Sequence, residues 1–226
     1  MAESNADAWG LPGVLGFFET ERTTSGQVYA SEWFFLKDRL WEGMSVLDVG
    51  CAQGGFAGIL AEHLKDFRYT GLDISDAMIA RARERFPRHR FLHLPEGDDA
   101  PLGEEAFDLV LVLGILHLHE SWRETLAMAW RHTCGTMIFD LREVGGPSIE
   151  DKAVSWFRMD FGGGDASHAE TRLPYNLINA GEAQRTVADI CGAAKRVAHY
   201  GYLHPVSSSA VCPVEKVMAN TWCVER

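Results

Sequence analysis

Two carboxylates and an imidazole stand where a folded chain would present them to a ligand. Asp48 directly precedes the glycine-rich run Gly50-Cys51-Ala52-Gln53-Gly54-Gly55, Asp73 closes an apolar stretch 25 residues later, and His117 follows a third apolar stretch with His119 and Glu120 next to it. Glycine after a strand lets a ligand reach backbone that a side chain would block. Two ligand chemistries fit the run. Ending on Gly55 it is a degenerate G-x-A-x-x-G, in which a helix N-terminus would hold a pyrophosphate. Beginning at Asp48 and ending on Gly54 it is D-x-G-x-A-x-G, which puts a carboxylate before the turn; that carboxylate would repel a pyrophosphate and attract a cationic ligand.

The surrounding residues favour the second reading. VLDVGCAQGGFA resembles the first motif of the class I S-adenosylmethionine-dependent methyltransferases, with Ala52 in place of the usual middle glycine. YTGLDISDAMIARARERFP resembles the second motif, FDLVLVLGILHLHE the fourth, and GTMIFDL the strand after it, so the resemblance covers about residues 43–140. It implies S-adenosyl-L-methionine as cofactor. Gly50, Cys51, Ala52 and Gly54 would let backbone approach its methionine part and sugar, with Asp48 beside the turn. Asp73 would accept hydrogen bonds from both ribose hydroxyls, with Ile74 packing on adenine and Leu113 closing the fourth strand beside it. The run LPEGDDA points to Asp98 for the adenine amino group. Asp73 could instead cap the helix after Ser75, and Asp98 could sit in a turn.

Methyl transfer is an in-line displacement at a carbon already activated by the sulfonium, so the protein supplies alignment more than reactivity. A hydroxyl acceptor needs a base, and His117, at the carboxyl end of its strand, is the candidate; packing or capping is its other reading. H-x-H lacks a third ligand, and no metal is expected. Tyr29, on the cofactor side, lies with His168, Tyr175 and Asn176 in segments that would cover the site, and His204 opens the linker HPVSSSAVCPV on the same face.

The elements that must position these groups alternate. Strands are predicted at 45–49, 69–73, 90–94, 107–113 and 135–140, with helices at 54–65, 76–86 and 120–131. Alternation of this kind predicts an α/β fold, a Rossmann-like, doubly wound, mostly parallel sheet of seven strands with an antiparallel edge strand. Residues 1–42, rich in aromatics, read as a helical amino-terminal cap, and 43–226 as the main domain. Within it, Gly- and Pro-rich residues 144–178 read as an inserted lid around a helical run IEDKAVSWFRM, ahead of a last helix-strand-strand unit.

Composition narrows the partners. Lys and Arg number 21 against 32 Asp and Glu, a net charge of −11 that disfavours a nucleic-acid backbone as ligand. The five cysteines form no C-x-x-C pair, as expected of reduced thiols in cytoplasm. No signal peptide or membrane span is expected. These features, with an aromatic cap and a Gly-rich lid, point to a small-molecule acceptor in a closed pocket, its attacking atom and the oligomeric state left open. A cofactor-binding regulatory protein, a protein or RNA acceptor, and a nicotinamide-dependent oxidoreductase are the readings set against it; Asp48 and the M-x-x-A-R run after Asp73 speak against the last.

Overall fold

Strands buried on both faces run as continuous apolar stretches, and here successive residues feed opposite layers. Leu47, Val110, Val112 and Phe139 pack into one core, whereas Val46, Leu109, Leu111 and Ile138 pack into another. These are the two faces of a central sheet in a computed structural model that describes residues 5–94, 99–159 and 172–226.

The sheet strands are β1 (Ser45–Val49), β2 (Arg68–Asp73), β3 (Arg90–His93), β4 (Phe107–Val112) and β5 (Thr133–Val144). β6 (Trp156–Arg158), β7 (Arg172–Pro174), β8 (Ile178–Asn179), β9 (Arg196–Pro205), β10 (Ala210–Val211) and β11 (Lys216–Glu225) follow. The main sheet has the order β3-β2-β1-β4-β5-β11-β9, with short β8 also pairing β5. β1 to β5 are mutually parallel, and β11 pairs antiparallel with both β5 and β9. The antiparallel strand therefore lies between β5 and the outermost β9.

Seven α-helices occur among the described residues: α1 (Asn5–Trp9), α2 (Pro12–Thr20), α3 (Ala30–Leu36), α4 (Gly55–Ala61), α5 (Asp76–Arg85), α6 (Trp122–Arg131) and α7 (Ala180–Ile190). Apolar residues of α6 and α7, among them Trp122, Leu126, Ala183 and Val187, fill the first core. Those of α3, α4 and α5, such as Phe35, Ile59, Leu60 and Ile79, fill the second. Both faces are thus covered. The strand order reverses between β1 and β4, which opens a crevice at their carboxyl ends between the loop after β1 and the loop after β4. No helix among the described residues is long and apolar enough to cross a membrane.

The insertion differs from expectation in one respect. IEDKAVSWFRM is not helical: Asp151 accepts the amide N–H groups of Val154 and Ser155, each at 2.9 Å, and the chain then extends into β6. β6 is the middle strand of a second sheet, β10-β6-β7, in which Phe157 stands opposite both Leu173 and Ala210. Arg172 lies over the Trp156 ring at 4.2 Å. Bulky aromatic residues favour such a pleated surface, and the partner strands outweigh local helical spacing. A third apolar cluster joins Ala8 and Val14 of the amino-terminal helices to Leu173, Tyr175 and Leu177 of the insertion and to Val217 of β11. Both appendages thereby stand over the carboxyl ends of the strands.

Candidate active site

At the crevice lies a cavity of about 580 Å³. Its floor is the glycine loop, from Asp48 through Gly50, Cys51, Ala52 and Gln53 to Gly55 and Phe56. The amino-terminal segment supplies Trp9, Phe17, Phe18, Arg22 and Tyr29; the loop after β4 supplies Leu113, Gly114, His117 and Leu118. Arg142 from β5, Phe157 and Tyr175 from the insertion, His204 from β9 and Val217 from β11 add to the wall, as do the polar side chains of Glu21, Gln27, Ser207 and Ser209.

The loop takes its shape from positive φ angles, +78° at Gly50, +46° at Ala52 and +77° at Gly54. It is tied from both sides. Asp73 accepts the backbone N–H of Ala52 through Oδ2 and that of Ser75 through Oδ1, both at 2.9 Å. Gln53, almost wholly buried, donates from Nε2 to the Leu15 carbonyl at 2.7 Å, which joins the loop to α2. Ser75, not Asp73, is the side-chain cap of α5: its hydroxyl accepts the Met78 N–H.

The carboxylates are tuned by burial. Asp48 is pushed up to about 7, chiefly by desolvation, while the hydroxyl of buried Tyr69 donates to its Oδ2 and opposes the shift. Asp73 is raised to about 6 by burial against the pull of the Ser75 and Ala52 amides. Cys51 is buried, its thiol pushed well above the usual range first by desolvation and then by Asp73 and Asp48, so it is a neutral packing group.

Two ion pairs have their guanidinium groups in the cavity wall. Arg22 Nη2 donates to Glu32 Oε2 at 3.0 Å, and its guanidinium stacks over the Tyr29 and Phe56 rings at 5.4 and 5.2 Å. Arg142 Nη1 donates to Asp140 Oδ2 at 2.5 Å, and Asp140 Oδ1 accepts the Gly114 N–H at 2.5 Å. Burial opposes ionisation of Asp140, yet Arg142 beside it holds the carboxyl below the usual carboxylate range. Glu32 moves the other way, raised by burial, and its Oε1 has no hydrogen-bond partner.

His117 sits on a one-turn 3₁₀ segment (Leu116–Leu118) that Asn176 clamps: the Asn176 N–H donates to the His117 carbonyl at 2.7 Å, and its side-chain Nδ2 donates to the His119 carbonyl at 2.7 Å. The imidazole is 7% exposed, meets the Tyr175 ring edge-on at 5.6 Å, and leaves Nδ1 without a hydrogen-bond partner. Burial, reinforced by Arg142, lowers its pKa to about 3.

Of the residues singled out from sequence, Tyr29, Asp48, Gly50, Cys51, Ala52, Leu113, His117, Tyr175 and His204 border this one cavity. Gly54, Asp73 and Ile74 do not line it. Gly54 backs onto Phe91 and Phe86, Asp73 is engaged by the two amides, and the Ile74 carbonyl meets His93 Nε2 at 3.0 Å. Asp98 and His168 lie outside the described residues. Sequence reasoning missed Arg22, Asp140 and Arg142. The pair Asp140 and Arg142 was signalled by its place at the carboxyl end of GTMIFDL; Arg22, in a polar turn, carried no signal.

Residues 47–134 match the family described as "Methyltransferase domain". A phthiotriol/phenolphthiotriol dimycocerosates methyltransferase of Mycobacterium tuberculosis is 36% identical over 87 residues, 38% of this chain and 32% of that protein. The match thus spans about a third of that relative's length. A trans-aconitate 2-methyltransferase of Paracidovorax citrulli is 28% identical over 204 residues, 88% of this chain and 75% of that protein. Among solved structures, the 1,6-didemethyltoxoflavin-N1-methyltransferase of Burkholderia thailandensis, with S-adenosylhomocysteine bound, superposes with a TM-score of 0.55 at 20% identity, covering 86% of this chain and 76% of that one. Residues 47–134 thus match a methyltransferase domain, and the chain shares the fold of the solved methyltransferase structures.

Proposed function

We propose that the protein transfers a methyl group from S-adenosyl-L-methionine to a small-molecule acceptor enclosed in the cavity. The observation that carries this reading is that a single cavity is bounded on one side by the glycine loop and on the other by polar groups from β4, β5, β9 and the insertion. Two cavity residues fit the cofactor, Arg22 its carboxylate and Asp48 its cationic centres; Asp73, outside the cavity lining at the end of β2, would meet its ribose hydroxyls with the lone pairs that the Ala52 and Ser75 amides leave. When bound, the cofactor supplies a methyl carbon activated by the sulfonium. The chain's task is then to align an acceptor with that carbon and to exclude water.

Residues 1–42 act as a cap and the insertion at about 144–178 as a cover, because both bring apolar side chains, Phe17, Phe18 and Phe157 among them, to the cavity wall. A wall of this kind suits a small acceptor better than a polymer, which would need an open, charged groove. Calorimetric titration with S-adenosylhomocysteine and with NAD tests the cofactor: binding of the first and not of the second is expected. Incubating the protein and labelled donor with a metabolite extract tests turnover. An Asp73→Ala variant that binds S-adenosylhomocysteine as the wild type does would remove the ribose assignment.

A further inference from the structure

The cavity wall carries one cation on its acceptor side. Arg142 lies between Asp140, Tyr175, His117 and His204, its side chain 14% exposed. Nη1 goes to Asp140, and the Tyr175 hydroxyl hydrogen-bonds the same guanidinium. Two partners do not exhaust five N–H donors. The remaining walls are mostly apolar or aromatic, with Trp9, Phe17, Phe18, Leu118, Phe157 and Val217 prominent. Of the cavity's basic side chains, Arg22 belongs to the loop side with Glu32, which leaves Arg142 as the guanidinium facing the acceptor.

We infer that the methyl acceptor is a monocarboxylate with an apolar body, its carboxylate docked on Arg142 and its body against the aromatic cap. This deepens the function proposed above and rests on it. A planar guanidinium offers a carboxylate two parallel hydrogen bonds, so it fixes direction as well as position. One carboxylate oxygen forms a bond to the donor's methyl carbon as the carbon–sulfur bond breaks. The bonding pair stays on sulfur, which becomes a neutral thioether, and the carboxylate becomes a neutral methyl ester. No proton is released, so no base is required. That agrees with the buried imidazole beside Arg142, His117, which keeps an unpartnered Nδ1. A hydroxyl acceptor placed at His117 would have to surrender its proton to a group that burial and Arg142 make a poor base. A tricarboxylate would bring three charges to a wall with a single guanidinium already facing Asp140.

The test uses the full chain with labelled S-adenosylmethionine and matched probes: octanoate and cinnamate, the corresponding alcohols, octylamine, and trans-aconitate. Label should appear in octanoate or cinnamate as an alkali-labile ester, with the alcohols and the amine inert. Arg142→Gln should raise the carboxylate KM roughly 30-fold or more, the size of a lost charge-assisted pair, while S-adenosylhomocysteine affinity stays within about twofold. Arg142→Lys should recover part of the loss. Should Arg142→Gln fail to fold, wild-type product chemistry still decides. An alkali-stable product, label on the alcohol or amine alone, or preference for trans-aconitate would overturn the inference. So would absence of any carboxylate product from protein that binds S-adenosylhomocysteine normally. Failure of the wild type to bind S-adenosylhomocysteine is separate, because it removes the methyltransferase reading itself and the inference with it.

Discussion

Asp73 Oδ2 accepts the backbone N–H of Ala52 at 2.9 Å, and Ala52 is held at a φ of +46°, where side chains other than glycine are rare. The left-handed conformation costs an alanine roughly 1–2 kcal/mol, and the carboxylate is what holds the residue there.

Ala52→Gly should therefore be neutral or stabilising. Relief of the left-handed cost exceeds the roughly 0.5–1 kcal/mol that glycine loses in backbone entropy, so a net gain of up to about 1 kcal/mol is expected. Denaturant midpoints read this directly. A clear loss of stability would show that the Ala52 methyl, which packs against the third apolar cluster, matters more than its backbone strain.

Asp73 makes stability and ligand binding depend on pH with opposite signs. Burial raises its folded pKa to about 6, above the roughly 3.9 of an unfolded aspartate. Its contribution to stability is therefore greatest in acid and is lost as pH rises through about 6. Ribose hydroxyls need the charged form as acceptor, so affinity for S-adenosylhomocysteine should climb through the same range and then level. Asp73→Asn should bind more weakly and show a flat profile over that range. Parallel pH profiles for the two proteins would separate Asp73 from the ribose.

The sheet was legible because each strand is a run of apolar residues bounded by polar turns, and burial on both faces needs nothing subtler. The glycine loop was legible for the same local reason. Arg22 and Gln53 were not, because their roles depend on where α2 and the turn after it come to rest, a contact between residues far apart in sequence. The insertion misled for a related reason. Trp156 and Phe157 have spacing compatible with a helix, and only Leu173 and Ala210, brought opposite them by the fold, make that segment a strand.

Gly55 is a sharper test of that long-range contact than Gly50. A Cβ on Gly55 would meet the Arg22 carbonyl oxygen at 2.2 Å, whereas one on Gly50 would meet the movable Ile115 side chain. Arg22 itself has a φ of +56° and little room to retreat. Gly55→Ala should cost about 1–3 kcal/mol, as overpacking does, and should weaken S-adenosylhomocysteine binding by displacing Arg22. Thermal unfolding and titration check both parts; an unperturbed variant would mean that the amino-terminal segment does not rest on α4.

Arg22 and Glu32 should behave as a unit. Arg22→Met leaves the 2%-exposed Glu32 carboxyl without its partner, and breaking a buried pair on one side costs about 3–5 kcal/mol, less any part that Glu32 recovers by taking a proton. Adding Glu32→Gln removes the stranded charge and should restore much of the stability. Binding of S-adenosylhomocysteine should fall more than about tenfold in both variants if the guanidinium meets the cofactor carboxylate. Recovery of binding together with stability in the double variant would assign Arg22 to structure alone.

His117 makes the last prediction, and it turns on a proton the residue does not hold. Its folded pKa of about 3 lies far below the roughly 6.5 of a free imidazole, because burial and then Arg142 disfavour the cation. The unfolded chain therefore binds a proton there more readily than the folded one. Stability should fall as pH drops below about 6.5 and keep falling toward about 3, and His117→Gln should flatten that part of the curve. The same shift leaves the side chain neutral throughout the working range, a weak base for any hydroxyl. Turnover of wild type should show no ionisation near 6.5 belonging to this residue, and His117→Gln should lose less than about tenfold, since general-base effects run to about 10²- to 10⁴-fold. A rate limb near 6.5 present in wild type and absent in the variant, with a loss above about 100-fold, would restore His117 as the base. It would also favour a hydroxyl over a carboxylate as the attacking group.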